Sequence, residues 1–134
     1  MAGKKQSERF TQGMATRREV LGDAYVDASQ ANRTDFNSPY LDLITESAWG
    51  HVWSRPNWTK RERSMVTLAL LAALGHHEEL VLHLNATRNT GATVDDIREA
   101  MLHVAIYAGV PAANTAMKIA AKTLDEMTSE KGKA

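Results

Sequence analysis

Three side chains that can exchange protons or hold an anion, His76, Glu79 and His83, are spaced three and four apart. On a helix that spacing sets them along one broad face over about two turns, where they can meet a single substrate. An imidazole near its ordinary pKa exists in both protonation states close to neutral pH, so His83 is a candidate proton donor or acceptor and Glu79 a candidate to orient it. The plainer alternative is a surface pair between Glu79 and His83. The hydrolytic zinc pattern puts its histidines four apart with glutamate next to the first, and His76-His77-Glu78-Glu79 with His83 does not reproduce it, so no metal is expected.

A second cluster lies upstream in Trp49-Gly50-His51-Val52-Trp53-Ser54-Arg55-Pro56-Asn57-Trp58. Arg55 can hold a carboxylate in its planar fork, His51 can donate a proton or hydrogen bond, and Trp49 or Trp53 can wall off water and strengthen those contacts. Together they suit a small anionic ligand, although tryptophans packing a loop would leave the same pattern. Glu46, three residues before Trp49, is a further candidate carboxylate. Glu99, His103 and Tyr107 lie four apart in turn and read as a buried polar network, with Tyr107 also a candidate ligand contact.

The elements that must position these groups read as helices. A helix is expected over 15–32, another from Pro39 through Ala48, and an ordered loop over 50–58. Thr59 with Glu62 forms a capping box ahead of Met65 to Leu74, a run apolar almost all round. Gly75 ends that central helix, and further helices follow over 76–90, from a cap at Thr93 through Ala105 with Gly109-Val110-Pro111 closing it, and over 112–127. The expectation is an all-α bundle of about six helices, one domain over 15–127, between flexible tails at 1–14 and 128–134. A central helix with so little polar surface points to self-association.

Composition limits the chemistry. The 134 residues carry 16 basic and 16 acidic side chains, which gives no general electrostatic reason to bind nucleic acid or an anionic membrane. No stretch approaches 18 consecutive apolar residues, and a soluble cytoplasmic protein is expected. Zero cysteine excludes thiolate metal sites, iron–sulfur clusters and thiol redox chemistry.

Three segments depart from a generic helical bundle: Leu43 to Pro56, Ser64 through Glu79 to His83, and Leu102 to Asn114. With Trp-Gly-x-Val-Trp-x-Arg-Pro in the first and His-Val-Ala-x-Tyr-x-Gly-x-Pro-Ala-Ala-Asn in the last, residues 17–125 closely resemble the gamma-carboxymuconolactone decarboxylases of the β-ketoadipate pathway. The resemblance implies an AhpD-like helical fold, a homohexamer built as a trimer of dimers, and a cofactor-independent lyase of bacterial aromatic catabolism. The implied reaction converts 4-carboxymuconolactone, a small anionic lactone, to β-ketoadipate enol-lactone with loss of carbon dioxide. Related readings are a decarboxylase or isomerase of another lactone, or a non-catalytic helical binding or assembly protein.

Redox members of the wider superfamily carry Cys-x-x-Cys-x-x-x-His on the equivalent helix, and their cysteine places fall here at His76 and Glu79. Under the resemblance, Arg55 anchors a carboxylate and His51 or His76 stabilises the developing enolate. His83, oriented by Glu79, supplies or relays the proton, with Glu46 as the alternative relay. Trp49, Trp53 and Tyr107 line the substrate. The chain departs from the family pattern at Ser47, where an aromatic residue often stands, and at His76-His77, where a charged pair is usual.

Overall fold

The computed structural model describes residues 6–133, with side chains over 6–130. The described residues form seven α-helices and one π-helix, with no strand among them. They divide into two compact units, Met1–Trp58 and Thr59–Ala134.

The first unit contains α1 (Glu8–Leu21), α2 (Asp23–Ala31), α3 (Ser38–Ile44) and a π-helix over Thr45–Trp53. The expected tail over 1–14 is therefore helical from Glu8 onward. Ser7 caps α1 by accepting from the Phe10 amide at 3.0 Å, and Phe10 and Gly13 are buried. What reads as one helix over 15–32 breaks at Gly22, whose φ of 91° is a left-handed backbone that only glycine adopts at little cost.

Of the ordered loop expected over 50–58, residues 54–58 are a non-helical stretch, and residues 50–53 before it instead complete the π-helix. Hydroxyls compete for its backbone acceptors: Thr45 Oγ1 donates to Leu41 O and Ser47 Oγ to Leu43 O, each at 2.7 Å. Such back-bonding draws carbonyls away from the i→i+4 ladder and favours a wider turn. Ser54 closes the far end by donating to Trp49 O at 2.6 Å, and its hydroxyl also meets Thr16 Oγ1 of α1 at 2.7 Å.

Helix α1 packs closely on the π-helix through two glycines. A Cβ at Gly13 would run into the Thr45 carbonyl oxygen and stand 2.8 Å from the Gly50 nitrogen. A Cβ at Gly50 would collide with the Arg9 carbonyl. Gly50 thus permits a backbone crossing.

The second unit is built from α4 (Lys60–Leu74), α5 (His77–Thr90), α6 (Val94–Tyr107) and α7 (Val110–Lys133). Both α4 and α6 begin with full capping boxes, Thr59 with Glu62 and Thr93 with Asp96. Arg61 grips the Asp96 carboxylate with two hydrogen bonds of 2.7 Å, tying the starts of these two helices together. That contact and the Thr93 amide hold the Asp96 carboxyl well below the usual carboxylate range.

The core interleaves Leu68 and Ala72 of α4, Leu80 and Leu84 of α5, Ile97, Met101 and Val104 of α6, and Ala113, Ala116 and Ala120 of α7. The alanine stripe lets α7 approach its neighbours closely, and α7 continues to Lys133 through most of the expected tail at 128–134. Helix α4 does have a solvent face in this chain. Val66, Leu70 and Leu74 are exposed at 43%, 55% and 66%.

Candidate active site

Five of the candidate residues belong to the first unit and stand on or just beyond the π-helix. Trp49 and Trp53 are buried, with ring centroids 5.2 Å apart and planes tilted by 32°. Glu46 and His51 are exposed and five residues apart on this π-helix. The π-helix therefore presents a carboxylate and an imidazole from a base of packed indoles. Arg55 follows in the turn, exposed, with Nη2 donating to Asn57 Oδ1 at 3.4 Å.

An open groove of about 1190 Å³ runs along this unit between Phe10 and Met14 of α1 and Leu43 of α3, with Glu46 at its edge. Of the candidate residues, Glu46 alone lines it.

Sequence reasoning missed Arg9, which falls in the expected tail. Its Nη1 donates to the Gly50 carbonyl at 3.3 Å and touches His51 Nδ1. A guanidinium can only donate, so Nδ1 accepts with its lone pair and the ring proton resides on Nε2. The available signal was local: Ser7-Glu8-Arg9-Phe10 joins a capping residue, a first-turn acid and an apolar anchor.

The other four candidates belong to the second unit. Glu79 and His83 lie one turn apart on α5, whereas His76 is the residue before the helix, with φ −85° and ψ 78°. His76 thus leaves the helical face expected for all three. His83 is partly buried beside Leu80 and Leu84, and burial pushes its imidazole down to about 4 against the opposing pull of the Glu79 carboxylate. It is therefore neutral at pH 7, in contrast to the mixed protonation expected from its residue type.

Stability should carry this signature. Above the ordinary histidine value, His83 is neutral folded or unfolded and contributes no pH dependence. As pH falls from about 6.5 toward 4, the unfolded chain takes the proton first and stability drops, by on the order of 3 kcal/mol at full protonation. Urea unfolding at pH 7.5 and 4.5 should show a smaller acid loss in His83→Gln than in the wild type; equal losses would show that His83 is not held neutral.

Tyr107 ends α6 and is 86% exposed, and Glu99 and His103 are exposed as well. The buried network expected from their spacing is absent, because α6 turns Ile97, Met101 and Val104 inward and leaves these three outside. His103 and Tyr107 stack on the surface with centroids 6.3 Å apart. Among the described residues, no three histidine, aspartate or glutamate side chains are grouped to hold a metal ion.

The carboxymuconolactone decarboxylase family model matches residues 38–122, from α3 into α7, and so takes in the π-helix, α4, α5 and α6. The chain belongs to the carboxymuconolactone decarboxylase family. It is 44% identical over 120 residues to a 4-carboxymuconolactone decarboxylase of Acinetobacter baylyi, covering 90% of each chain. A nitrosuccinic acid decarboxylase of Metarhizium robertsii is 42% identical over 121 residues, which is 90% of this chain and 85% of that one. A 4-carboxymuconolactone decarboxylase sequence from Pseudomonas putida matches at 42% over 45 residues, 34% of this chain and 94% of that one. Within this decarboxylase family the chain keeps the all-helical architecture expected from its motifs.

Proposed function

We propose that this chain is a carboxy-lyase that converts 4-carboxymuconolactone to β-ketoadipate enol-lactone and carbon dioxide. The observation that carries this reading is the 44% identity extending over 90% of both chains with the relative of that name. The chemistry of the two residue groups suits the reaction. The bond to the departing carboxylate breaks, and its electron pair passes through the ring double bond to the lactone carbonyl. The resulting dienolate then takes one proton on the carbon beside that carbonyl. The substrate's own conjugated carbonyl receives the electrons, so the scheme asks for no cofactor.

Arg55 anchors a carboxylate, and His51 or His76 donates to the developing enolate oxygen. Trp49 and Trp53 give the departing carboxylate an apolar neighbour, which favours its loss as neutral carbon dioxide. His83 is not a stored acid, because it is neutral at pH 7. A neutral imidazole still relays a proton, taking one on one ring nitrogen as it gives up the other. Glu79, one turn before His83 on α5, orients that relay, and Glu46 is the alternative relay.

The same reading includes a cytoplasmic homohexamer assembled as a trimer of dimers. The exposed apolar side chains support self-association, with Leu74 at 66% and Ile106 at 77% exposure in the isolated chain. Tyr107 then reaches substrate from a subunit boundary. Light scattering in solution tests this directly.

A second substrate is favoured by the 42% identity with the nitrosuccinic acid decarboxylase. Nitrosuccinate and the lactone share one carbon that bears the departing carboxylate, a carboxymethyl arm and an electron-accepting group. The shared requirement is a succinate whose substituted carbon carries such an acceptor. Comparing kcat/KM for the two compounds tests the assignment: the lactone should be preferred, and turnover of nitrosuccinate alone would move the activity to the nitro acid.

A further inference from the structure

The first unit holds a cation that its neighbours orient but do not neutralise. Five arginines, Arg18, Arg33, Arg61, Arg88 and Arg98, are ion-paired. Arg9 is exposed and makes no ion pair among the described residues, yet its guanidinium is held in place by the Gly50 carbonyl and by His51 Nδ1. Both contacts use Nη1, so Nε and Nη2 remain as a parallel pair of donors, the geometry that matches a carboxylate. Beside them His51 presents Nε2–H as a donor, because Arg9 itself occupies Nδ1. The Gly13 and Gly50 crossing fixes the backbone under both side chains.

We propose that Arg9 and His51 form a carboxylate subsite that holds the carboxymethyl arm the substrate keeps, which leaves His76 as the donor to the enolate oxygen and Arg55 for another group. The assignment rests on the decarboxylase reading for the identity of that carboxylate. The orientation of Arg9 and the ring proton on His51 Nε2 stand independently of it. Arg9 is a binding residue here, with no part in bond breaking, so its loss weakens substrate capture and leaves the chemical step intact.

The test compares wild type, Arg9→Met and Arg9→Lys with the lactone and with the lactone carrying its carboxymethyl arm as a methyl ester. For the free acid, Arg9→Met should raise KM by about tenfold or more and leave kcat nearly unchanged, with Arg9→Lys in between. For the methyl ester the three proteins should have equal kcat/KM. An equal loss with both compounds, or no loss with either, overturns the subsite.

Nuclear magnetic resonance of the His51 ring with succinate as the probe separates this from the decarboxylase reading. A saturable shift at Nε2–H in the wild type that disappears in Arg9→Met supports the subsite even if the lactone is not turned over. No shift, or a ring proton found on Nδ1, overturns it whatever the lactone result.

Discussion

Replacing His83 with alanine should lower kcat for lactone decarboxylation by about 10²–10⁴-fold, the range over which a positioned proton-transfer group contributes. The dienolate must be protonated on carbon, a slower transfer than one between oxygen or nitrogen atoms, and His83 is a partly buried imidazole on α5 that can relay that proton. His83→Gln keeps much of the side-chain volume and should lose nearly as much, because an amide cannot exchange protons between two ring nitrogens. Circular dichroism of both variants should match the wild type. Stopped assays of product formation check the expectation, and a kcat within about threefold of wild type in a folded variant would remove His83 from proton transfer.

The larger structural effect is expected at Gly13. Gly13→Ala places a methyl group against the Thr45 carbonyl and close to the Gly50 nitrogen. Both obstacles are backbone atoms, and no side-chain rotation relieves them. Either α1 moves off the π-helix, losing the Thr16 to Ser54 contact and the hold of Arg9 on His51, or the π-helix itself is displaced. The cost is about 3 kcal/mol or more. Urea unfolding of Gly13→Ala beside Glu19→Ala, a change at an exposed position of the same helix, should show a large loss for the first and within about 0.5 kcal/mol for the second. Comparable midpoints would mean that the two helices do not cross at this glycine.

These expectations arise where sequence and structure diverge. The second unit was largely legible, because its helices announce themselves by Thr59 with Glu62, by Thr93 with its first-turn acids, and by glycines at 75 and 91. The first unit was not. Helix α1 is rich in charge and buries Gly13, Thr16 and Arg17, so its packing face is not an apolar stripe. The π-helix has no period that a reading at 3.6 residues per turn detects, and its tryptophans and proline-bounded end read as an ordered loop.

The candidate site was legible by residue type and less so by state. His83 was recognisable as proton-transfer chemistry, but its neutrality comes from burial that spacing alone does not reveal. Tyr107 was recognisable from the motif that contains it. Its exposure depends on which stripe of α6 faces inward, and Ile97, Met101 and Val104 take that place. Arg9 lay outside every motif, and its relation to His51 exists because α1 folds back against the π-helix.

The most direct measurement of the central claim is to turn over authentic 4-carboxymuconolactone with the purified chain in deuterium oxide, following carbon dioxide and product together. One equivalent of carbon dioxide should be released. The product should be β-ketoadipate enol-lactone with a single deuterium on the carbon beside the lactone carbonyl. No carbon dioxide from the lactone, or deuterium on the carbon that lost the carboxylate, would contradict the decarboxylation through a dienolate.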